Sequence, residues 1–440
     1  MKIFISGISG TGMGPLALMA KDAGFEVFGT DLKEGAILPE LLKAGIEVKI
    51  GEQDGEFLRG KIADGGVDWF VYTSALPKDH PELKLAREAG VKVSKRDDFT
   101  AFLVEKLGLK MVAVAGTHGK TTTAAMMVWL TTNFKLPVSY VVGTTLGFAP
   151  SGAYHKGDNY FIYEADEYDR NFLKFWPWTA VITTISYDHP DIYPTEHDYR
   201  VAFRKFMRQS QQVVREDEDT KMRGMIFEGK IAGEERRNSA GLAITGLSSI
   251  CGDIMAEGQN VMAGLPATQE NLSKLMRKLK IPEFQRIYKV LGKFPGAGRR
   301  FEKIAKGVYS DYAHHPEEIQ ATLEMANEQA EIEGKRGVIV VYQPHQNTRQ
   351  HKVFSGYRSA FEESDKVFWL PTFLTRENPE LKILEPKDFI ESLENPDLAE
   401  AAEMNEKLAK KLKDYRERDF LILLMAAGPA DEWFRRVWSK

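Results

Sequence analysis

The sequence predicts an α/β protein of three domains, and three observations lead to this prediction. The chain has 440 residues, and at about 150 residues per domain this length corresponds to about three domains. Short apolar runs alternate with helical patterns along the chain, which is typical of parallel sheets covered by helices. Two glycine-rich turns, at residues 7–14 and 116–119, each connect a strand pattern to a helix pattern.

The composition is that of a soluble globular protein, with 43% hydrophobic and 28% charged residues. The net charge of -4 argues against a nucleic-acid-binding face. The single cysteine, Cys251, excludes an internal disulfide framework and fits a reducing compartment. Glycines interrupt the apolar N-terminus too early for a secretory signal, and no stretch reaches the roughly 18 uninterrupted apolar residues of a membrane span. We therefore expect a cytoplasmic protein that binds neither nucleic acid nor membrane.

The first domain, residues 1–108, is predicted to begin with a nucleotide-binding βαβ unit. The strand pattern KIFISG leads into a glycine loop (residues 7–14), a helix begins near Pro15, and the strand pattern FEVFGTD ends at Asp31. Pro15 stands where the third glycine of a strict G-x-G-x-x-G belongs, so a glycine turn without a ligand stays the alternative. A nucleotide or nucleotide-sugar site is favoured. The segments DWFVYTSA and VKVSKRDDF continue the alternation.

The second domain, residues 109–293, is predicted to hold a phosphate in the stretch VAVAGTHGKTTT. Val114 occupies the first glycine position of the strict phosphate-loop pattern, so the loop is a shortened version of it. Its place between a strand and a helix predicts an anion site at a helix N-terminus. Lys120 would then reach the terminal phosphates, and the Thr121 hydroxyl would lie on Mg²⁺.

Acidic residues follow two further strand patterns of this domain. EADEYD comes after an apolar strand and contains Glu164, Asp166 and Glu167, while SYDHPD contains Asp188 and His189. The carboxyl ends of parallel strands converge, so these groups are expected near the phosphate loop, where a carboxylate holds Mg²⁺ or orients an attacking group. Imidazole is not the preferred Mg²⁺ ligand, so a structural and a water-mediated role of the histidine both stay open. No element is assigned to residues 210–260.

The third domain, residues 294–440, is predicted to be another open α/β sheet. Its strand patterns are GVYSDYA, GVIVVYQP, KVFWLP and FLILLMAAG, with helical stretches such as residues 316–330 between them.

The motifs AGTHGKTTT, EADEYD, YDHPD, GRRFE, DYAHHPEEI and QPHQNTR, in this order, resemble those of the Mur ligase family, which builds the peptide of bacterial peptidoglycan. The resemblance covers almost the whole chain. It implies a Rossmann-like N-terminal domain for a UDP-sugar, a P-loop-type central ATPase domain with a parallel sheet, and a Rossmann-like C-terminal domain that closes over an amino acid. The implied reaction joins L-alanine to the carboxylate of UDP-N-acetylmuramate through an acyl phosphate, with ATP and Mg²⁺. The implied partners are these small molecules, in a monomer or homodimer.

The resemblance also implies roles for individual residues. The implied catalytic residues are Lys120, Glu164, His189 and Arg300, with Arg299 as the alternative to Arg300. The implied ATP contacts are Gly116, Thr117, His118, Gly119, Lys120, Thr121, Thr122, Asn260, Arg300 and Asp311, and Thr121, Glu164 and His189 lie near the metal. The implied substrate contacts are Gly10, Thr11, Gly12, Met13, Asp31 and Ser74 for the UDP-sugar and Tyr312, His314, His345 and Arg349 for the amino acid. The Arg349 fork would suit a carboxylate, and hydrogen bonding at a helix N-terminus is the other interpretation of His314.

Departures from the family pattern leave alternatives open. Gln346 stands where an arginine is usual, and QNVMA has Gln259 and Ala263 at two positions of the nucleotide motif, which leaves Asn260. Arg204 falls where several relatives carry a carbamylated lysine, so none is expected here. The alternatives are a ligase that adds a whole tripeptide in peptidoglycan recycling, a nucleotide-binding protein without ligase activity and, from the glycine loop alone, an NAD-dependent dehydrogenase.

Overall fold

The computed structural model describes residues 1–73, 76–189, 192–227, 231–261, 282–374 and 377–439, with side chains except at 218, 219, 257–261 and 284. The chain divides into two compact units. The first comprises Met1–Ile226 and Asn238–Phe294, and the second comprises Phe227–Arg237 and Pro295–Lys440. Two sheets lie in the first unit and one in the second.

The first sheet has five parallel strands in the order β3-β2-β1-β4-β5. They are β1 (Lys2–Ser6), β2 (Glu26–Asp31), β3 (Glu47–Ile50), β4 (Trp69–Tyr72) and β5 (Lys92–Lys95). The helices are α1 (Gly14–Asp22), α2 (Leu38–Lys43), α3 (Glu56–Ala63), α4 (Pro81–Glu88) and α5 (Arg96–Leu107). The central strand is buried at four of its five residues, because parallel strands are covered by helices on both faces.

The second sheet has six strands in the order β11-β10-β6-β9-β7-β8. They are β6 (Lys110–Ala115), β7 (Val138–Val141), β8 (Gly152–Ala153), β9 (Tyr160–Glu164), β10 (Thr179–Ile182) and β11 (Gln212–Arg215). All pairs are parallel except β7 with β8. The helices are α6 (Lys120–Phe134), α7 (Glu196–Gln209), α8 (Glu218–Met225), α9 (Glu234–Val261) and α10 (Phe284–Leu291), with a 3₁₀ segment at Tyr168–Lys174. One hydrophobic cluster joins residues of both sheets, for example Ile3 and Ala113.

Helix α9 fills much of the region that the sequence left unassigned. Its segment Glu234–Ala256 is the one helix of the described residues long and apolar enough to cross a membrane. Because 61% of its most apolar window is buried inside the protein, the segment has the character of a core helix.

The second unit contains a six-stranded sheet in the order β12-β13-β17-β14-β15-β16. The strands are β12 (Glu302–Ala305), β13 (Val308–Asp311), β14 (Val338–Gln343), β15 (Lys366–Trp369), β16 (Ala399–Ala401) and β17 (Leu421–Ala426). Only β12 with β13 is antiparallel among the described pairs. The helices are α11 (Pro316–Ile332), α12 (Asn347–Val353), α13 (Pro386–Ile390), α14 (Glu406–Glu417) and α15 (Ala430–Trp438), with 3₁₀ segments at Phe354–Ser359 and Pro396–Leu398.

The predicted class is confirmed, since three α/β sheets follow one another along the chain. The domain boundaries at residues 108 and 293 stay a prediction. The strands that the sequence analysis did not assign include the edge strands β3, β11, β12 and β16. These strands are short and largely solvent-facing, for example β11 with one buried residue of four, so they carry little of the apolar signal that marks a buried strand.

Candidate active site

The phosphate loop (residues 116–122) lies between β6 and the first turn of α6. Gly116 has φ +146°, and a Cβ there would lie 2.0 Å from the Thr183 hydroxyl, so only glycine fits. The N–H groups of Thr117 and His118 donate to the Thr184 carbonyl and hydroxyl oxygens, at 2.7 and 3.0 Å. Since these two amides are engaged within the protein, the N–H groups left to face an anion are those of the helix start, residues 119–122.

Lys120 is folded onto its own loop and onto a buried acid. Its Nζ donates to the Gly116 carbonyl at 2.5 Å, to the Thr117 carbonyl at 3.2 Å and to both Glu167 carboxylate oxygens at 2.8 and 3.0 Å. The Glu167 side chain is only 2% exposed. Burial raises the pKa of Glu167, and the Lys120 ammonium opposes that rise. The ion pair therefore holds the lysine amine against the backbone of the phosphate loop.

Thr121 and Glu164 form a second pair beside the loop. The Thr121 hydroxyl donates to Glu164 Oε1 at 2.7 Å, and the Gly143 N–H donates to Oε2 at 3.0 Å. A hydroxyl and a carboxylate are hard oxygen donors of the kind Mg²⁺ binds, usually with phosphate oxygens and water. No cluster of three or more His, Cys, Asp or Glu side chains able to hold a metal occurs among the described residues. These two residues thus fit a cation that takes its remaining ligands from a nucleotide.

His189 lies on the Lys120 side of this arrangement. Its Nε2 is 3.7 Å from Glu167 Oε1 and 3.6 Å from Asp188 Oδ2, and its ring meets the Tyr168 ring edge-on. The backbone at His189 has φ +56°, a conformation that is uncommon outside glycine and is often found at functional sites. Of the predicted metal residues, Thr121 and Glu164 are in contact, while His189 contacts Glu167.

The glycine loop precedes α1 in the first sheet. Asp31 Oδ2 accepts a hydrogen bond from the Ser9 N–H at 2.9 Å, so the acid at the end of β2 braces this loop. Thr11 is exposed at its tip, with Gly10 and Gly12 half-buried. The Met13 side chain is 3% exposed in the core, so this predicted substrate contact is limited to its backbone.

Two of the predicted contacts cannot be located in the structure. Ser74 and the side chain of Asn260 lie outside the described residues. Arg204, the position compared with a carbamylated lysine, is exposed on α7.

In the second unit the two neighbouring arginines have different environments. Arg299 Nη2 donates to the carbonyls of Ala426 and Gly428 at 2.7 and 3.0 Å. Arg300 is exposed, and its guanidinium lies 5.2 Å from the centre of the Tyr312 ring. Arg300 is therefore the more exposed of the two arginines, whereas Arg299 binds backbone carbonyls at and just after the carboxyl end of β17, a central strand.

Asp311 holds backbone rather than presenting a free carboxylate. Its Oδ2 accepts from the Phe301 N–H at 2.7 Å and its Oδ1 from the Ala313 N–H at 2.8 Å. Burial raises the pKa of Asp311, and the charge of Arg300 opposes that rise. The described contacts of Asp311 thus lie within the protein, and they fix the turns that carry Arg300 and Tyr312.

Tyr312, His314, His345 and Arg349, predicted for the amino acid, come from two strand ends. The His314 ring lies 5.4 Å from the Tyr312 ring and 5.9 Å from the His345 ring. Burial lowers the pKa of His314, and it lowers that of His345 to about 4, with the neighbouring His314 imidazole and the charge of Arg349 adding to the effect. Both imidazoles are therefore neutral near pH 7.

Arg349 supplies the positive charge of this cluster. Across the described part of the chain, its guanidinium makes no hydrogen bond or ion pair, so its N–H groups can donate to both oxygens of a carboxylate. The adjacent Gln346 has φ +65° and donates its N–H to the Phe373 carbonyl at 2.8 Å. The residue that departs from the family pattern thus stands in a strained turn at the start of α12.

Models of three Mur ligase regions match consecutive parts of the chain. Residues 2–106 match "Mur ligase family, catalytic domain", residues 114–228 match "Mur ligase middle domain", and residues 299–428 match "Mur ligase, glutamate ligase domain". The chain belongs to the Mur ligase family. As a Mur ligase it is an enzyme of peptidoglycan synthesis, which excludes the dehydrogenase interpretation.

Curated relatives of this Mur ligase align over most of its length. A UDP-N-acetylmuramate–L-alanine ligase of Mycobacterium ulcerans is 32% identical in an alignment 409 positions long, which covers 86% of this chain and 82% of the relative. Another, of Caldicellulosiruptor saccharolyticus, is 28% identical and covers 100% of this chain and 98% of its own. Among solved structures, a UDP-N-acetylmuramate-alanine ligase of Thermotoga maritima has a TM-score of 0.72 at 23% identity, with 100% and 98% coverage, and shows the shared fold.

Two charged features of this Mur ligase pair in ways that local sequence does not show. Glu167 belongs to the acidic run expected near the phosphate loop and pairs with Lys120, and the run Lys95–Asp98 ends a predicted strand pattern. Both follow a strand at its carboxyl end, where the ligands of parallel sheets bind, and that position was the signal available. What the sequence lacked was the partner of each charge.

Proposed function

We propose that this Mur ligase joins L-alanine to the carboxylate of UDP-N-acetylmuramate, with consumption of ATP. The observation that carries the proposal is the phosphate loop with its Thr121–Glu164 pair, in a chain whose relatives over 86% of its length are named UDP-N-acetylmuramate–L-alanine ligases. The domains proposed for the UDP-sugar, ATP and the amino acid are residues 1–108, 109–293 and 294–440. The proposed location is the cytoplasm.

The proposed reaction has two steps. A muramoyl carboxylate oxygen attacks the γ-phosphorus of ATP, the bond to the bridging oxygen breaks, and ADP and an acyl phosphate result. The amine of the amino acid then attacks the acyl carbon and loses a proton, and the C–O bond to phosphate breaks. No protein nucleophile is needed, so positioning and charge neutralisation carry the catalysis.

The protein groups divide this work. Lys120 is proposed to neutralise the terminal phosphates once it leaves Glu167, and the N–H groups of residues 119–122 bind phosphate oxygens. Thr121 and Glu164 are proposed to hold Mg²⁺, which neutralises the charge of the phosphate oxygens. Arg349 is proposed to bind the carboxylate of the amino acid. The neutral imidazole of His345 adds no second positive charge there.

The test is phosphate release from ATP and Mg²⁺ in the presence of UDP-N-acetylmuramate, with one amine substrate at a time. We expect the fastest release with L-alanine, slower release with glycine or L-serine, and none without the UDP-sugar. The Lys120→Ala variant should release no phosphate and still bind the UDP-sugar. Loss of sugar binding in that variant would contradict separate sites for the two ligands.

Gln346 favours one alternative for the amine substrate. Its side chain is neutral, whereas the family usually has an arginine at this position. The pocket therefore has one fewer positive group to bind a substrate carboxylate, and such a pocket suits a larger peptide substrate. Fastest release with the tripeptide L-alanyl-γ-D-glutamyl-meso-diaminopimelate would replace L-alanine by this substrate. ATP binding without release for any amine would instead indicate a nucleotide-binding protein without ligase activity.

A further inference from the structure

Two buried tyrosines lie side by side where the chain passes from β10 into α7. Tyr193 precedes α7 and Tyr199 lies near its start, and both residues are fully buried. Their ring centres are 5.0 Å apart with the rings nearly perpendicular, and Tyr199 also packs on the Phe203 ring. Phenylalanine would serve the packing equally well, so the two buried hydroxyls need partners of their own.

The Tyr199 hydroxyl binds the phosphate loop through the side chain of Thr117. The two hydroxyl oxygens are 2.8 Å apart. Thr117 Oγ1 donates its proton to the Ser186 carbonyl at 2.7 Å and accepts from the Ser186 N–H at 2.9 Å. Because that proton is already used, Tyr199 is the donor in the bond between the two hydroxyls. Thr117 Oγ1 then donates once and accepts twice, which is the full capacity of a hydroxyl.

The Tyr193 hydroxyl binds the acidic segment that also holds Lys120. It donates to the Glu167 backbone carbonyl at 2.6 Å. Lys120 Nζ in turn donates to the Glu167 carboxylate at 2.8 Å and to the Thr117 carbonyl at 3.2 Å. Two partners of the lysine are therefore each held by one tyrosine hydroxyl, and the two tyrosines pack on each other.

Both hydroxyls remain protonated near pH 7. Burial raises the pKa of Tyr193 and of Tyr199 above its ordinary value, and the negative charge of Glu167 raises both further. Each hydroxyl is thus a permanent hydrogen-bond donor, and the contacts with Thr117 and Glu167 do not depend on pH in this range.

We propose that Tyr193 and Tyr199 are positioning residues for the nucleotide, which fix the phosphate loop and the acid that holds Lys120. The inference rests on the proposed function, in which Lys120 and the N–H groups of residues 119–122 bind the phosphates of ATP. Both tyrosine hydroxyls are used within the protein, so they act through Thr117 and Glu167. A loop that is already held in place loses less conformational freedom when it binds phosphate, and its affinity is higher for that reason.

The test is calorimetric titration of the full chain with ADP and Mg²⁺, and separately with UDP-N-acetylmuramate. Tyr199→Phe keeps the ring and removes only the hydroxyl, so we expect about fivefold weaker ADP binding, as for the loss of one hydrogen bond. Tyr193→Phe should weaken ADP binding by a similar factor. The affinity for the UDP-sugar should stay within about twofold of that of the natural protein, because its proposed site lies in another domain.

A double-mutant cycle tests whether Tyr199 acts through Thr117. Thr117→Val removes the accepting hydroxyl and keeps the branched shape, whereas Thr117→Ser keeps the hydroxyl and should keep most of the ADP affinity. If the two hydroxyls act as one contact, Tyr199→Phe should cause no further loss of ADP affinity in a chain that already carries Thr117→Val. A purely structural tyrosine would give additive losses.

Tyr160→Phe is the matched control for a general effect on the fold. Tyr160 is also fully buried, and its hydroxyl donates to Asp253 at 2.7 Å, at the opposite end of β9 from Glu164. This variant should lower the urea midpoint as Tyr199→Phe does, but its ADP affinity should not change. Natural ADP affinity in Tyr199→Phe, an equal loss in Tyr160→Phe, or additive losses in the cycle would overturn the proposal and leave the proposed function intact. If the natural protein binds no ADP, the proposed function fails as well.

Discussion

The substitution Lys120→Met isolates the ion pair inside the phosphate loop. Methionine keeps the length and most of the apolar stem of lysine but removes the ammonium, which lies 2.8 and 3.0 Å from the Glu167 oxygens. The Glu167 side chain is 2% exposed and Lys120 15% exposed, so the acid is left charged in a place that water barely reaches. A large loss of stability at neutral pH follows.

The loss of unfolding free energy in Lys120→Met can be bounded in two ways. Two unit charges 2.8 Å apart attract each other by about 6 kcal/mol at an effective dielectric constant of about 20. Part of this is offset because the lysine ammonium no longer has to be desolvated. Removal of one partner from buried ion pairs costs about 3–5 kcal/mol. Since His189 lies only 3.7 Å from Glu167 and provides some polar contact, we expect the lower end, about 3 kcal/mol.

The loss should depend on pH in a definite direction. Burial already raises the pKa of Glu167, and Lys120 opposes the rise, so removal of the ammonium raises the pKa further. A carboxyl whose pKa is higher in the folded than in the unfolded state binds more protons when folded, and stability then falls as pH rises through that interval. The deficit of Lys120→Met should therefore be largest at pH 8 and shrink toward pH 5.

Urea unfolding followed by tryptophan fluorescence, at several pH values from 5 to 8, measures this pH-dependent loss of stability. The natural protein, Lys120→Met, Glu167→Gln and the double variant form a double-mutant cycle, in which the midpoints of the same transition are compared. Glu167→Gln should restore most of the stability lost in Lys120→Met and remove its pH dependence. A Lys120→Met variant as stable as the natural protein at pH 8 would refute the reasoning.

Three further predictions concern the loop and the amino-acid cluster. Gly116→Ala places a Cβ 2.0 Å from the Thr183 hydroxyl at φ +146°. It should lower the free energy of unfolding by about 3 kcal/mol, measured from the urea midpoint, and abolish ADP binding, measured by titration. Gly147→Ala, whose Cβ meets open space, should change neither. Arg349→Ala should raise the amino-acid KM at least about tenfold with little change in kcat; an unchanged KM would mean that the pocket is misassigned. His345 has its pKa lowered to about 4 from 6.5, so it contributes a stability that is lost as pH falls from 6.5 toward 4. His345→Gln should weaken that acid sensitivity in melting experiments, and an unaltered pH profile would contradict the assignment.

Local patterns predicted the elements that position the site. The apolar run before Gly116 is β6, the lysine after Gly119 begins α6, and Asp31 ends β2. Each of these depends on neighbours in sequence: β-branched and apolar residues favour a buried strand, and glycine supplies the turn conformations between strand and helix. The site residues on these elements were therefore placed correctly at strand ends and helix starts, although their roles stay predictions.

Side-chain partners were not predictable in this way. Lys120 and Glu167 are 47 residues apart in sequence, and no local rule shows that the amine meets this carboxylate. Likewise, the two adjacent arginines of GRRFE are equivalent in sequence, and only the fold engages Arg299 in hydrogen bonds to two backbone carbonyls and leaves Arg300 exposed. The burial of the Met13 side chain in the glycine loop likewise depends on the fold and not on the local sequence.

The sequence by itself determined the α/β class, the two glycine turns, the phosphate loop and, through its ordered motifs, the Mur ligase family. These features depend on residue spacing, which periodicity and turn chemistry translate directly into strands, turns and helices. Tertiary structure alone decided which charges pair, which acids hold backbone and which arginine faces solvent. The energy of a charge pair depends on the distance between the charges and on their burial. Strand order, which local sequence does not encode, sets this distance and burial for Glu167 beside Lys120.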